Sequence, residues 1–140
     1  MIDCLIVGDS IAVGTHQFKQ ECRLEAKVGI NSYQWVNKYH NQPNMSAETV
    51  IISLGTNDHQ HIKTESELET VRTLVQGKRV YWILPVGNNP TSGVSIEEIQ
   101  RIVKKVAQAH GDVVLPITHT QADKIHPSWA GYKEIAKETE

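Results

Sequence analysis

The chain carries no excess charge of either sign: 14 Lys and Arg stand against 16 Asp and Glu among 140 residues, for a net charge of −2. Nucleic-acid binding draws most of its affinity from cationic side chains on phosphates, so no nucleic-acid partner is expected. No apolar run approaches the roughly 20 residues that a bilayer crossing needs, so no membrane span is expected either. Cysteine is scarce, at two residues, Cys4 and Cys22, with no C-x-x-C spacing. That is too few for a disulfide framework or a zinc site, and both read as free thiols, with Cys4 a small packed residue in an apolar run. The first apolar run, residues 4–7, follows Asp3, has no basic flank and is interrupted at Gly8. It lacks the pattern of a secretory signal, which together with free thiols sets the expectation of a cytoplasmic protein. What is present is a globular composition, 39% hydrophobic and 21% charged, at a length that one core serves, so a single domain over residues 1–140 is expected.

Short apolar segments alternate with longer segments of helical period, the pattern of βαβ units. Residues 4–7 suit a buried parallel strand, and Leu24, Ala26 and Val28 alternate as an edge strand does. Residues 50–54 (VIISL) and 80–84 (VYWIL) are β-branched and aromatic, and residues 113–117 (VVLPI) carry Pro116, which suggests an edge. Between them, residues 11–20 and 32–39 are expected to be crossover helices. A third helix has Thr64 and Glu67 as a capping box, Leu68, Val71 and Val75 as its apolar stripe and Gly77 as its stop. A fourth has Ser95 and Glu98 as its box, Ile96, Ile99, Val103 and Val106 as its stripe, and Gly111 after His110 as its end. The last starts at Pro127 and runs through Trp129, Tyr132, Ile135 and Ala136. Five strands and five helices in alternation predict a parallel sheet covered on both faces, with ligands outside the carboxyl ends of the strands.

Four groups with chemical potential follow predicted strands. Gly8-Asp9-Ser10 follows the first, where a serine is either a helix cap or an exposed nucleophile. Gly29-Ile30-Asn31 follows the second, placing a glycine where a backbone N–H can approach a ligand. Gly55-Thr56-Asn57-Asp58 follows the third, and Asp123-Lys124-Ile125-His126-Pro127 follows the fifth. The first of these two can be a simple turn, and in the second a spacing of three lets the carboxylate orient the imidazole. Taken singly, each group has a structural explanation. Together on one rim they supply a nucleophile, a base, an acid that orients the base, and donors for an oxyanion, which is the equipment of serine acyl transfer.

With these blocks in this order, the chain resembles the SGNH hydrolases, also called GDSL esterases and lipases, over essentially its full length. The resemblance implies a five-stranded flavodoxin-like α/β/α sandwich, in agreement with the periodicity. It implies Ser10 as nucleophile, His126 as general base and then acid, and Asp123 as the residue orienting His126. It also implies that the oxyanion is met by the backbone N–H groups of Ser10 and Gly29 and by the Asn57 amide. No cofactor is implied. The chain is shorter than most members, and its Gly29-Ile30-Asn31 block lacks the family's usual second small residue. The short segment after the fourth strand, residues 86–94 (VGNNPTSGV), favours an open cleft for short acyl groups over a deep acyl tunnel. Compact members resemble phage-borne proteins and proteins encoded beside surface-polysaccharide genes, which points the expected substrate toward O-acetyl groups of a glycan.

Other readings use the same residues. Asp9, Asp58 and Lys124 follow strands one, three and five, as in a phospho-acceptor receiver domain, although there the aspartate closes the third strand itself. A non-catalytic ligand-binding module on this fold is the other alternative. Asp58-His59-Gln60-His61 has ligand types that can share a cation, or His59 and His61 can line the cleft. His40, His110 and His119 are expected at the surface, and Trp35, Trp82 and Trp129 in the core or the cleft wall.

Overall fold

The computed structural model describes residues 2–140. In chain order it contains β1 (Ile2–Gly8), α1 (Ser10–His16), β2 (Arg23–Ala26), α2 (Ser32–Tyr39), β3 (Ser46–Ser53), α3 (Thr64–Leu74), β4 (Gln76–Ile83), α4 (Ile96–Ala109), β5 (Val113–Leu115) and α5 (Trp129–Glu138). The five strands form one parallel sheet in the order β2-β1-β3-β4-β5. Both short strands, β2 and β5, lie at edges, as the alternation of Leu24 and Ala26 and the presence of Pro116 suggest, although β2 ends at Ala26 and leaves Val28 exposed beyond it.

Period-two alternation sends each central strand into two cores. Leu5, Val7, Val50, Ile52, Val80 and Trp82 face one side, where they pack with Trp35 of α2, Leu68 and Val71 of α3, and Ile99, Val103 and Val106 of α4. Cys4, Ile6, Ile51 and Ile83 face the other, against Ile11 and Ala12 of α1 and Tyr132 and Ile135 of α5. The molecule is therefore a three-layer α/β/α sandwich. Trp35 and Trp82 are fully buried, and each satisfies its indole N–H, on Glu25 O (2.9 Å) and Asp112 Oδ2 (2.9 Å).

Several expectations are corrected. Cys4 and Cys22 are joined in a disulfide, so neither is a free thiol, and the argument they supplied for a reducing compartment falls. Trp129 is 65% exposed, its ring edge-on to Phe18, so it belongs to neither core. Gly77 does not stop α3; the helix ends at Val75, which is already extended, and Gly77 lies inside β4. The Thr64–Glu67 capping box is absent, because the Thr64 hydroxyl donates to Asp58 Oδ2 (2.8 Å) instead of closing on its own helix. At α4 the Ser95 hydroxyl does cap Glu98 N–H, while the Glu98 carboxylate turns to Arg101. The last helix begins two residues later than Pro127, at Trp129 with Ser128 as its cap. His40, His110 and His119 are at the surface as expected.

Candidate active site

The ends of β1 and β3 lock the first block in place. Gly8 has φ +139°, and a Cβ there would sit 1.9 Å from the Ser53 carbonyl oxygen, so only glycine lets the two strand ends approach this closely. Asp9 N–H donates to Ser53 O (3.0 Å). Asp9, not Ser10, caps α1: its Oδ1 accepts from Ile11 N–H (3.0 Å) and from the Ser53 hydroxyl (3.0 Å). Ser10 is thereby the first residue of the helix with its hydroxyl free of capping duty.

That hydroxyl lies 2.9 Å from His126 Nε2, across 116 residues of sequence. His126 Nδ1 lies 2.7 Å from Asp123 Oδ2, and Asp123 Oδ1 accepts from the backbone N–H groups of Ile125 (2.9 Å) and His126 (3.0 Å). These bonds, first that from Ile125 and then that from the imidazole, hold the Asp123 carboxyl down to about 2. An ionised Asp123 accepts a proton-bearing Nδ1, which leaves Nε2 as the acceptor for the Ser10 hydroxyl. Lys124, between them, adopts φ 60°, an uncommon conformation for a non-glycine residue that the turn around the carboxylate imposes. Backbone bonds Gln121 N to His126 O (2.8 Å) and Ser128 N to His119 O (3.0 Å) brace the loop from both sides.

The remaining blocks meet through Ile30. Asn57 Nδ2 donates one hydrogen to Ile30 O (3.0 Å), which fixes the amide and leaves its second hydrogen available. Gly29, at φ +80°, immediately precedes that carbonyl, and Lys27 N–H donates to Gly8 O (3.0 Å), tying this turn to the strand that carries Ser10. Neither Ser10 N–H nor Gly29 N–H has an acceptor among the described residues. The loop holding Asn57 is itself anchored by buried Asp58, which accepts from Ser32 N–H (2.9 Å), the Ser32 hydroxyl (2.6 Å) and the Thr64 hydroxyl (2.8 Å).

Sequence reasoning missed three supporting residues. Asp9 is fully buried with Oδ2 unpartnered, and desolvation pushes its carboxyl up to about 6 against the opposing bonds from Ile11 and Ser53. Tyr132 packs behind α1; burial, then the charges of Asp9 and Asp123, push its phenol up to about 12. Asp58 is the third. An acid just before the serine was legible, but its partner Ser53 lies at the end of another strand, and Asp58 draws its other donors from Ser32 at the start of α2.

The same bonds speak against the alternative uses of these residues. Asp9 and Asp58 are buried and committed to internal donors, so they present no open acidic pocket to a phosphoryl group. Asp58 is bonded to Ser32 and Thr64 while His59 and His61 are exposed, and the one group of three potential metal ligands among the described residues is Cys4, Glu21 and Cys22, where the thiols are spent in the disulfide.

Solved structures of SGNH hydrolases share this fold over nearly the whole chain. A GDSL-like lipase from Bacteroides thetaiotaomicron superposes with a TM-score of 0.71 at 18% identity, covering 96% of this chain and 84% of that one. The C-terminal catalytic domain of peptidoglycan O-acetyltransferase A from Streptococcus pneumoniae gives 0.65 at 16% identity over 99% and 96% of the two chains. The M. smegmatis aryl esterase gives 0.66 at 13% identity, again over 99% and 96%. No protein-family model matches the chain, and no curated protein matches it in sequence. The fold is therefore that of an SGNH hydrolase.

Proposed function

We propose that the protein is a serine ester hydrolase that cleaves short acyl esters, O-acetyl groups of glycans among them, through an acyl-enzyme. The observation that carries this reading is the unbroken Asp123–His126–Ser10 chain of 2.7 and 2.9 Å, built by residues 116 positions apart. Ser10 Oγ attacks the ester carbonyl while its proton passes to His126 Nε2, and Asp123 stabilises the imidazolium that results. The oxyanion is met by the N–H groups of Ser10 and Gly29 and the free hydrogen of the Asn57 amide. Collapse expels the alcohol, which takes the proton from His126. Water then repeats the sequence on the acyl-enzyme, releasing the acid and restoring Ser10.

Incubation with an organophosphonate followed by mass spectrometry tests the assignment. The adduct should sit on Ser10, and Ser10→Ala should abolish both labelling and turnover of p-nitrophenyl acetate. A label elsewhere, or a fully active Ser10→Ala protein, overturns it, and binding of esters without turnover in the unaltered protein would favour the ligand-binding module.

A further inference from the structure

Beside the proposed oxyanion site lies a cleft of about 350 Å³ whose walls are Lys27, Val28, Gly29, Ile30, Gln34 and Lys38. It shares Gly29 and Ile30 with the turn on which Asn57 is fixed. Its charged side chains, Lys27 and Lys38, are both cationic. Neither the Lys27 nor the Lys38 ammonium is paired with a carboxylate among the described residues; that of Lys38 lies 5.6 Å from the centre of the Tyr39 ring. Gln34 uses its Oε1 to accept from Asn31 N–H (3.0 Å), which leaves its Nε2 hydrogens for the cleft. The nearest acid in sequence, Glu25, is held by Arg23 at 3.0 Å and is not among the lining residues. Two lysines and a glutamine, with no acid among them, line a space that includes Gly29 and Ile30 of the turn proposed to meet the oxyanion. Exposed Val28 and buried Ile30 supply an apolar edge.

Resting on the proposed hydrolase reading, we infer that this cleft is a specificity subsite for a carboxylate carried by the ester substrate, as in an acidic sugar or a dicarboxylic half-ester. The substrate class is thus an anionic ester. The carboxylate can belong to the alcohol portion or the acyl portion, and the two are separable by experiment.

Three esters distinguish the possibilities: phenyl acetate, which is neutral; 4-acetoxybenzoate, charged on the alcohol side; and phenyl hemisuccinate, charged on the acyl side. After subtraction of spontaneous hydrolysis, one of the charged esters should exceed phenyl acetate in kcat/KM by about two- to fivefold, the scale that an exposed ion pair supplies. The preference should shrink as salt is raised. In Lys27→Glu/Lys38→Glu the ratio of charged to neutral ester should fall to one or below, and in Lys27→Arg/Lys38→Arg it should persist. A ratio of one in the unaltered protein, or one that survives the glutamate pair, overturns the subsite. If none of the esters turns over, the hydrolase reading fails, and the subsite is then decided by NMR titration of Ser10→Ala. Shifts at Gly29 and Ile30 with 4-acetoxybenzoate or phenyl hemisuccinate but not phenyl acetate support it, and equal or no shifts overturn it.

Discussion

Asn57 and Asp9 show how one side chain's bonds decide what it can do. The Asn57 amide has one hydrogen spent on Ile30 O, and its role rests on the other. A donor to an oxyanion strengthens as charge develops, so it acts on kcat more than on binding. Asn57→Ala is expected to lower kcat about 100- to 1,000-fold with KM nearly unchanged. A fall in melting temperature with kcat of the folded protein retained would reduce Asn57 to a turn residue. Asp9 acts on stability. Its carboxyl is raised from 3.8 to about 6 by burial, so the folded protein holds a proton that the unfolded chain has released between those values. Stability from this group is fully present below about pH 4 and declines as pH rises through 6, by about 3 kcal/mol in all. Asp9→Asn keeps a capping oxygen for Ile11 but removes the titration. Urea unfolding at pH 4.5 and 7.5 should show a smaller loss across that interval in the variant than in the parent, and equal losses would refute the desolvation account.

At the scale of elements, the sequence is most informative where the signal is local. Residues 32–39 form the expected α2 without adjustment, and the stripe of α4 is buried at Ile99, Val103 and Val106. The Asp-x-x-His spacing was equally legible, since the turn that joins Asp123 to His126 is built from its own four residues. What escaped depends on register. β1 and β2 were expected to be separate strands of one sheet, but not that Leu5 lies opposite Arg23. One step back along that register puts Cys4 beside Cys22, with Cα atoms 4.8 Å apart, and two cysteines that look unrelated in sequence become neighbours. Thr64 was misjudged for a similar reason: a closer acceptor, Asp58, comes from the loop after β3 and outcompetes the helix's own N–H. Gly77 reads as a helix stop only while the start of β4 is unknown. The disulfide closes a separation of 18 residues across β1, α1 and β2, and constrains the unfolded chain by about 3 kcal/mol. Cys4→Ala/Cys22→Ala, or reduction of the unaltered protein, is therefore expected to lower the melting temperature by roughly 8–12 °C. Calorimetry with and without reductant reads this directly, and an unchanged transition would refute the constraint on the unfolded chain.

For the whole molecule, the strand order β2-β1-β3-β4-β5 reverses direction between β1 and β3, and such sheets bind ligands outside their carboxyl ends at that point. Ser10 leaves β1, Asn57 leaves β3, Gly29 follows β2, and the loop after β5 carries His126 back to Ser10. On the proposed hydrolase reading, the loops after β4 and β5 bear on the acyl chain the site can take. Gly87, in the segment after β4, approaches the loop bearing His126 so closely that a Cβ would lie 2.5 Å from Ile125 Cγ1 and 2.6 Å from Lys124 O. The two loops are packed together at this point, which on the proposed hydrolase reading favours a short acyl group over a long chain lodged between them. An enzyme with an apolar tunnel gains about 0.8 kcal/mol, close to fourfold, for each methylene it buries. Here that gain should be missing: across p-nitrophenyl acetate, butyrate, hexanoate and octanoate, kcat/KM is expected to be highest at the two shortest esters and to fall beyond them. A steady rise to octanoate, measured below the micelle-forming concentration, would mean that the loops after β4 and β5 part to admit the chain. In that case the short-acyl reading fails while the Ser10 assignment stands.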